Sequence, residues 1–132
     1  MAKIIHTKGK RKRAVARATL KAGTGKVRIN GDLIDTIQPK LVRLKIREPL
    51  ILAGSVSEKV DISVNVNGGG IMSQADASRL AIAKSLVQHS KKLEKAFLDY
   101  DRQLIVADVR RKETSKPNCH GNARAKRQKS YR

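Results

Sequence analysis

Between Arg13 and Ala22 the residues alternate, with Ala14, Ala16, Ala18, Leu20 and Ala22 on one side and Arg13, Val15, Arg17, Thr19 and Lys21 on the other. A period of two predicts a β-strand with a small apolar face and a largely basic one. Gly23-Thr24-Gly25 offers positive-φ positions for a turn into Lys26–Asn30, where Val27 and Ile29 share a face opposite Lys26 and Arg28, so a basic-faced hairpin is expected. Asn30-Gly31-Asp32 is a second turn signal, and Leu33, Ile34 and Ile37 follow it as a short apolar segment. Pro39 suits the first position of a helix through Leu41, Leu44 and Arg47, although Val42, Leu44 and Ile46 also fit a strand. Pro49 is expected to kink or end that helix. Val60–Val66 alternates without a miss, apolar at Val60, Ile62, Val64 and Val66 and polar at Asp61, Ser63 and Asn65, and is the clearest strand in the chain. Asn67-Gly68-Gly69-Gly70 breaks it. Ser73, with Asp76 three residues on, matches the pattern that opens a helix, and Ala77, Leu80, Ala81, Ala83, Lys84, Leu86 and Val87 carry that helix for several turns. A second helix is predicted from Lys91 to Tyr100, where Leu93, Ala96, Phe97 and Tyr100 fall at i, i+3, i+4 and i+7. Leu104–Ala107 is the last apolar run; after Asp108 no periodicity remains, and such a segment orders only on a partner.

Charge adds what periodicity does not show. The 132 residues hold 30 Lys and Arg against 11 Asp and Glu, a net charge of +19, which calls for a polyanionic partner. The length allows one domain. Residues 1–28 carry +10, residues 29–109 only +1, and residues 110–132 carry +8. A nearly neutral middle between two basic ends predicts a foldable core, residues 1–109 with a basic N-terminal segment, and an extended basic tail, residues 110–132. Fully stretched, that tail spans about 75 Å at roughly 3.3 Å per residue. Cys119 is the single cysteine, so an intramolecular disulfide and a cysteine-based zinc site are excluded. Phe97, Tyr100 and Tyr131 are the only aromatics, too few for a base-stacking platform. No apolar run approaches the ~18 residues of a membrane span, so a soluble, cytoplasmic protein with no membrane partner is expected.

Candidate chemistry is sparse. Gly23-Thr24-Gly25-Lys26 fails as a nucleotide phosphate loop, because Leu20 stands where glycine is needed and Val27 where Ser or Thr is needed. Gly68, Gly69 and Gly70, between a strand and a helix, suit either a phosphate site at a helix N-terminus or simply a tight turn. His6, His89 and His120 lack partners at ligand or triad spacing, and Cys119-His120 is adjacent rather than spaced. No catalytic residue, metal site or cofactor is expected. The basic residues are the stronger signal, Lys as a point charge and Arg as a bidentate fork for phosphate. The candidate nucleic-acid ligands are Lys10, Arg11 and Lys12; Arg13, Arg17, Lys21, Lys26 and Arg28 on the hairpin; and Arg110, Arg111, Lys112, Lys116, Arg124, Lys126 and Arg127 in the tail. On charge alone a nucleoid-type DNA-compacting protein is an alternative, although no intercalating wedge or symmetric pair of arms supports it. An RNA-processing enzyme is a third reading without a carboxylate pair to carry it.

Four separated blocks then carry a resemblance: Gly9-Lys-Arg-Lys-Arg-Ala-Val-Ala-Arg17, Gly31 in its turn, Asn67-Gly-Gly-Gly-Ile-Met-Ser-Gln-Ala75 with Arg79-Leu-Ala-Ile-Ala-Lys84, and Gln128-Lys-Ser-Tyr-Arg132. Together they resemble the ribosomal small-subunit protein nine family over nearly the whole chain. The Val60-Asp61-Ile62 strand and the terminal Ser130-Tyr131-Arg132 resemble its archaeal and eukaryotic branch. In Ser115-Lys-Pro-Asn-Cys-His-Gly121 the chain departs from the family, lacking the aromatic-glycine segment expected before the last basic run. The resemblance implies an α+β fold like domain two of small-subunit protein five: a small sheet with helices packed on one side and a left-handed βαβ crossover, contrary to the usual hand. It also implies a structural role in the head of the small subunit, on small-subunit ribosomal RNA, among neighbouring head proteins. The tail would reach peptidyl-site tRNA through Lys129, Ser130, Tyr131 and Arg132.

Overall fold

A computed structural model describes residues 4–118 and 121–123 of the chain. It is an α+β structure with one five-stranded mixed sheet, built from β1 (Ile5–Arg11), β2 (Ala14–Ala22), β3 (Val27–Ile29), β4 (Asp32–Leu33) and β5 (Val60–Asn67), and three helices, α1 (Lys40–Ala53), α2 (Ile71–His89) and α3 (Leu93–Tyr100). The strand order is β1-β2-β5-β3-β4, antiparallel throughout except where β3 runs parallel to β5.

The expected hairpin between the second and third strands does not form, because β5 lies between them. The strand with the most regular β-branched pattern takes the centre, where both of its edges are paired and Val60, Ile62, Val64 and Val66 are buried. The segment after β2 therefore steps over the start of β5 instead of doubling back. Gly23 N–H donates to the Lys59 carbonyl at 3.0 Å, and Asp61 Oδ1 accepts from the N–H groups of Thr24 and Lys26 at 2.8 and 2.9 Å. The turn at Asn30-Gly31 is as expected: both residues have positive φ, 52° and 95°, which a two-residue hairpin with the favoured twist requires. Asn30 also continues the β3–β5 ladder with its side chain, accepting from Val66 N–H at 2.8 Å and donating to the Val66 carbonyl at 3.2 Å.

The N-terminal basic segment is built into the sheet, since Lys8, Lys10 and Arg11 belong to the edge strand β1. On the inward side of β1 stand Ile5, Thr7, Gly9 and Arg11. Thr7 Oγ1 donates to the Ala81 carbonyl at 2.8 Å, and a Cβ placed on Gly9 would come within 2.1 Å of the Ala77 carbonyl oxygen. With Ala14, Ala16 and Ala18 buried on β2 and Ala77 and Ala81 on α2, small residues let this helix approach the sheet closely.

Three helix expectations change. Helix α1 buries Val42, Ile46, Pro49 and Ala53, a helical spacing that leaves Leu41 and Leu44 exposed on the opposite side. Pro49 does not end it: one amide donor is lost, yet the helix runs four residues further to Ala53, and the ring is buried in the core. Helix α2 starts at Ile71 with Gly70 as its cap residue, so Ser73 lies inside the first turn and Asp76 is engaged by Lys45 and Arg11 instead. Helix α3 begins at Leu93, two residues after the predicted start, and buries Phe97 while Ala96 and Tyr100 stay exposed. The sheet residues opposite the core, Arg17, Arg28, Ser63 and Asn65 among them, are exposed, so the helices lie on one side of the sheet.

Candidate nucleic-acid interface

Strand register determines which side chains share the open face. Lys8 pairs with Arg17 and Arg17 with Asn65; Lys10 pairs with Val15 and Val15 with Asn67; His6, Thr19, Ser63 and Arg28 form another row across four strands. Asp61 is the one acid in these rows, at the end next to Lys21. Its carboxyl is held below the usual carboxylate range, first by the Lys26 N–H, then by the Thr24 N–H and the Lys26 charge. It thus stays ionised as the organiser of the loop that presents Lys26. Between Arg13, Arg17, Asn30, Asn65, Asn67 and Gly68 the face dips into a depression of about 720 Å³, lined by cations and amides that suit phosphate, sugar and base-edge contacts.

Around the rim the chain brings three distant segments together. Lys12 and Arg13 form the tip of the β1–β2 hairpin, with Lys12 in left-handed backbone at φ 53°. The glycine turn lies against that tip. Gly68 and Gly69 have φ 76° and 69°, and a Cβ on either would sit 2.8 Å from the Arg13 carbonyl oxygen or 3.0 Å from Ala14 N. Both therefore serve the turn and its close approach. Gly70 has neither a positive φ nor a neighbour within 4 Å of such a Cβ, and it opens α2 beside a cavity of about 580 Å³. The lining of that cavity is Lys12, Arg13, Gly69, Gly70, Ser73, Arg110, Arg111 and Lys112, with no acid among them. Cations gathered beside the first turn of a helix are chemically suited to a phosphodiester.

The sequence-predicted residues fall into four groups. Lys12, Arg13, Gly69, Gly70, Arg110, Arg111 and Lys112 converge on this cavity, and Gly68 with Arg17 lines the depression beside it. Lys10 on the edge strand β1, Lys21 on β2, Arg28 on β3 and Lys26 in the β2–β3 loop are spread over the sheet instead. Arg11 points the other way, into ion pairs with Asp108 and Asp76, and exposed Lys116 lies further along the tail. Arg124, Lys126, Arg127, Lys129, Ser130, Tyr131 and Arg132 lie outside the described residues. Sequence reasoning missed Lys8, Ser63, Asn65, Asn67 and Ser73. The alternation of β5 already set Ser63 and Asn65 on its polar side, but only the register sets them beside Arg17 and Arg28.

Among the described residues no group of His, Cys, Asp and Glu could hold a metal ion, and no helix is long and apolar enough to cross a membrane. The family described as "Ribosomal protein S9/S16" matches residues 9–132. Two curated relatives from Methanococcus maripaludis, strains C7 and C5, each named "Small ribosomal subunit protein uS9", are 49% identical over 133 residues, covering 98% of this chain and 99% of theirs. The protein of the same name from Methanococcus vannielii is 47% identical over the same span.

Proposed function

The chain belongs to the ribosomal protein S9/S16 family, and from that premise we propose that it is a structural, non-enzymatic constituent of the small ribosomal subunit, working in the cytoplasm during translation. Its globular part, residues 1–109, binds small-subunit ribosomal RNA in the head, beside neighbouring head proteins. The tail, residues 110–132, continues to peptidyl-site tRNA, where Lys129, Ser130, Tyr131 and Arg132 meet the anticodon stem-loop backbone. The crossover from β3 through α1 to β5 is left-handed in this reading. The observation that carries the RNA-binding proposal is the acid-free cavity between the hairpin tip, the glycine turn and the tail root, next to a sheet face of Lys, Arg, Asn and Ser. Such a surface grips phosphates by charge and leaves amides and hydroxyls for the grooves and 2′-hydroxyls of folded RNA.

Two measurements test it. After a high-salt wash the protein is expected to remain with the small subunit on a sucrose gradient, because a purely electrostatic attachment loses affinity steeply with salt. In competition, folded small-subunit RNA should displace bound probe at lower concentration than duplex DNA. Release by the wash together with a preference for duplex DNA would replace this reading with that of a DNA-compacting protein.

A further inference from the structure

The basic tail is fastened to the domain by an acid. At its root Asp108, with a side chain only 8% exposed, accepts from three groups of Arg110: the backbone N–H at 2.9 Å, Nε at 3.1 Å to each carboxylate oxygen, and Nη2 at 2.7 Å. It also pairs with Nη1 of Arg11, 97 positions earlier on the inward side of β1. Arg11 Nε lies 3.7 Å from Asp76 of α2, whose other oxygen takes Nζ of Lys45 in α1 at 2.9 Å. Lys45, Asp76, Arg11, Asp108 and Arg110 thus alternate in sign from α1 through α2 and β1 into the tail. Nothing in RNA binding by charge explains a carboxylate here. It subtracts one charge immediately before Arg110-Arg111-Lys112, and local electrostatics would favour its loss.

We propose that Asp108 is a positioning residue: by gripping Arg11 and Arg110 together, it holds Arg110, Arg111 and Lys112 as the third wall of the basic cavity, opposite Lys12 and Arg13. Cations on a free chain must be ordered when RNA binds, whereas cations already in place bring their charge without that cost. Asp108 gives up a little attraction and gains preorganisation. Arg11 is accordingly part of the support and not of the RNA-facing surface. The proposal rests on the RNA-binding reading above.

The charge change makes the test decisive. Asp108→Asn raises the net charge by one, so simple attraction predicts tighter RNA binding; the anchor predicts looser binding, by about tenfold. Affinity is measured on an in vitro transcript of the head domain of the small-subunit ribosomal RNA. Asp99→Asn, which makes the same charge change on exposed α3, is the control and should bind as tightly as the parent or slightly tighter. Asp108→Glu keeps the charge and should recover part of the loss. In the RNA-free protein, ¹⁵N heteronuclear NOEs at residues 110–112 should match those of the folded domain and fall in Asp108→Asn, while α2 resonances stay in place. Equal or tighter binding by Asp108→Asn, or parental NOEs at residues 110–112 typical of a free chain, overturns the anchor. If the parent protein prefers duplex DNA, the RNA reading fails, and the NOEs still decide whether Asp108 holds the tail.

Discussion

The two faces of the sheet solve opposite problems with the same backbone. Inward, β1 and β2 present Gly9, Ala14, Ala16 and Ala18, so small that α2 lies almost on the strands and Thr7 reaches a helix carbonyl. Outward, the neighbouring positions are Lys8, Lys10, Val15 and Arg17, long and mostly charged, and no helix covers them. The inward face has no room for an added methyl, whereas the outward face exchanges side chains at little cost to folding. Close packing and exposed positive charge are therefore segregated residue by residue along one strand, and the proposal that the charged side binds RNA gives the comparison its sharpest test. Gly9→Ala would put a Cβ against the Ala77 carbonyl and should cost about 3 kcal/mol or more, a fall in Tm of roughly 10 °C by calorimetry. Arg17→Ala should leave stability within about 0.5 kcal/mol. Its effect should be seen in RNA binding, as a loss of about one unit in the slope of log affinity against log salt. A large loss of stability in Arg17→Ala, or a silent Gly9→Ala, would break the division.

How much of this was legible followed from what periodicity encodes. Alternation marked β2 and β5 and assigned each side chain to one of two faces, so the polar character of Arg17, Ser63 and Asn65 was visible. Pairing was not. The Gly23–Gly25 segment signals a turn, but nothing local says that the next strand must skip a place and leave room for β5. In β1 the same period of two was present in Ile5, Thr7 and Gly9. Thr and Gly do not register as apolar, however, and a strand whose inward face is defined by close approach to α2 resembles a basic arm. The cavity was legible as ingredients, since the Gly68–Gly70 turn, the Lys12-Arg13 cluster and the Arg110–Lys112 run were each singled out. Their convergence depends on contacts between residues nearly a hundred positions apart, such as Arg11 with Asp108.

Lys12 sharpens the comparison because its backbone is strained where its side chain lines the proposed RNA site. A non-glycine residue at φ 53° gives up on the order of 1 kcal/mol in backbone strain. Lys12→Gly relieves it, offset in part by the freer unfolded chain. Chemical denaturation should show the variant about 0.5–1 kcal/mol more stable, while RNA affinity falls through loss of a cation from the cavity. If stability and affinity instead rise together, the strain at the hairpin tip has no connection with binding.

The smallest effect concerns Asp61, the acid that the outward face retains. Its carboxyl is depressed chiefly by the N–H groups of Lys26 and Thr24, so it binds a proton less readily in the folded chain than in the unfolded one. Its contribution to stability is therefore fully present above the unfolded carboxylate pKa of about 3.9, and it is lost as pH falls through the lower folded value. Asp61→Asn removes the ionisable group. Urea unfolding should accordingly show parent and variant differing at pH 7 by a constant amount that persists to about pH 4.5 and shrinks below it. A difference that instead grew on acidification would mean that the carboxylate opposes the fold. The loop carrying Lys26 would then have to be held by something other than the two hydrogen bonds to Asp61.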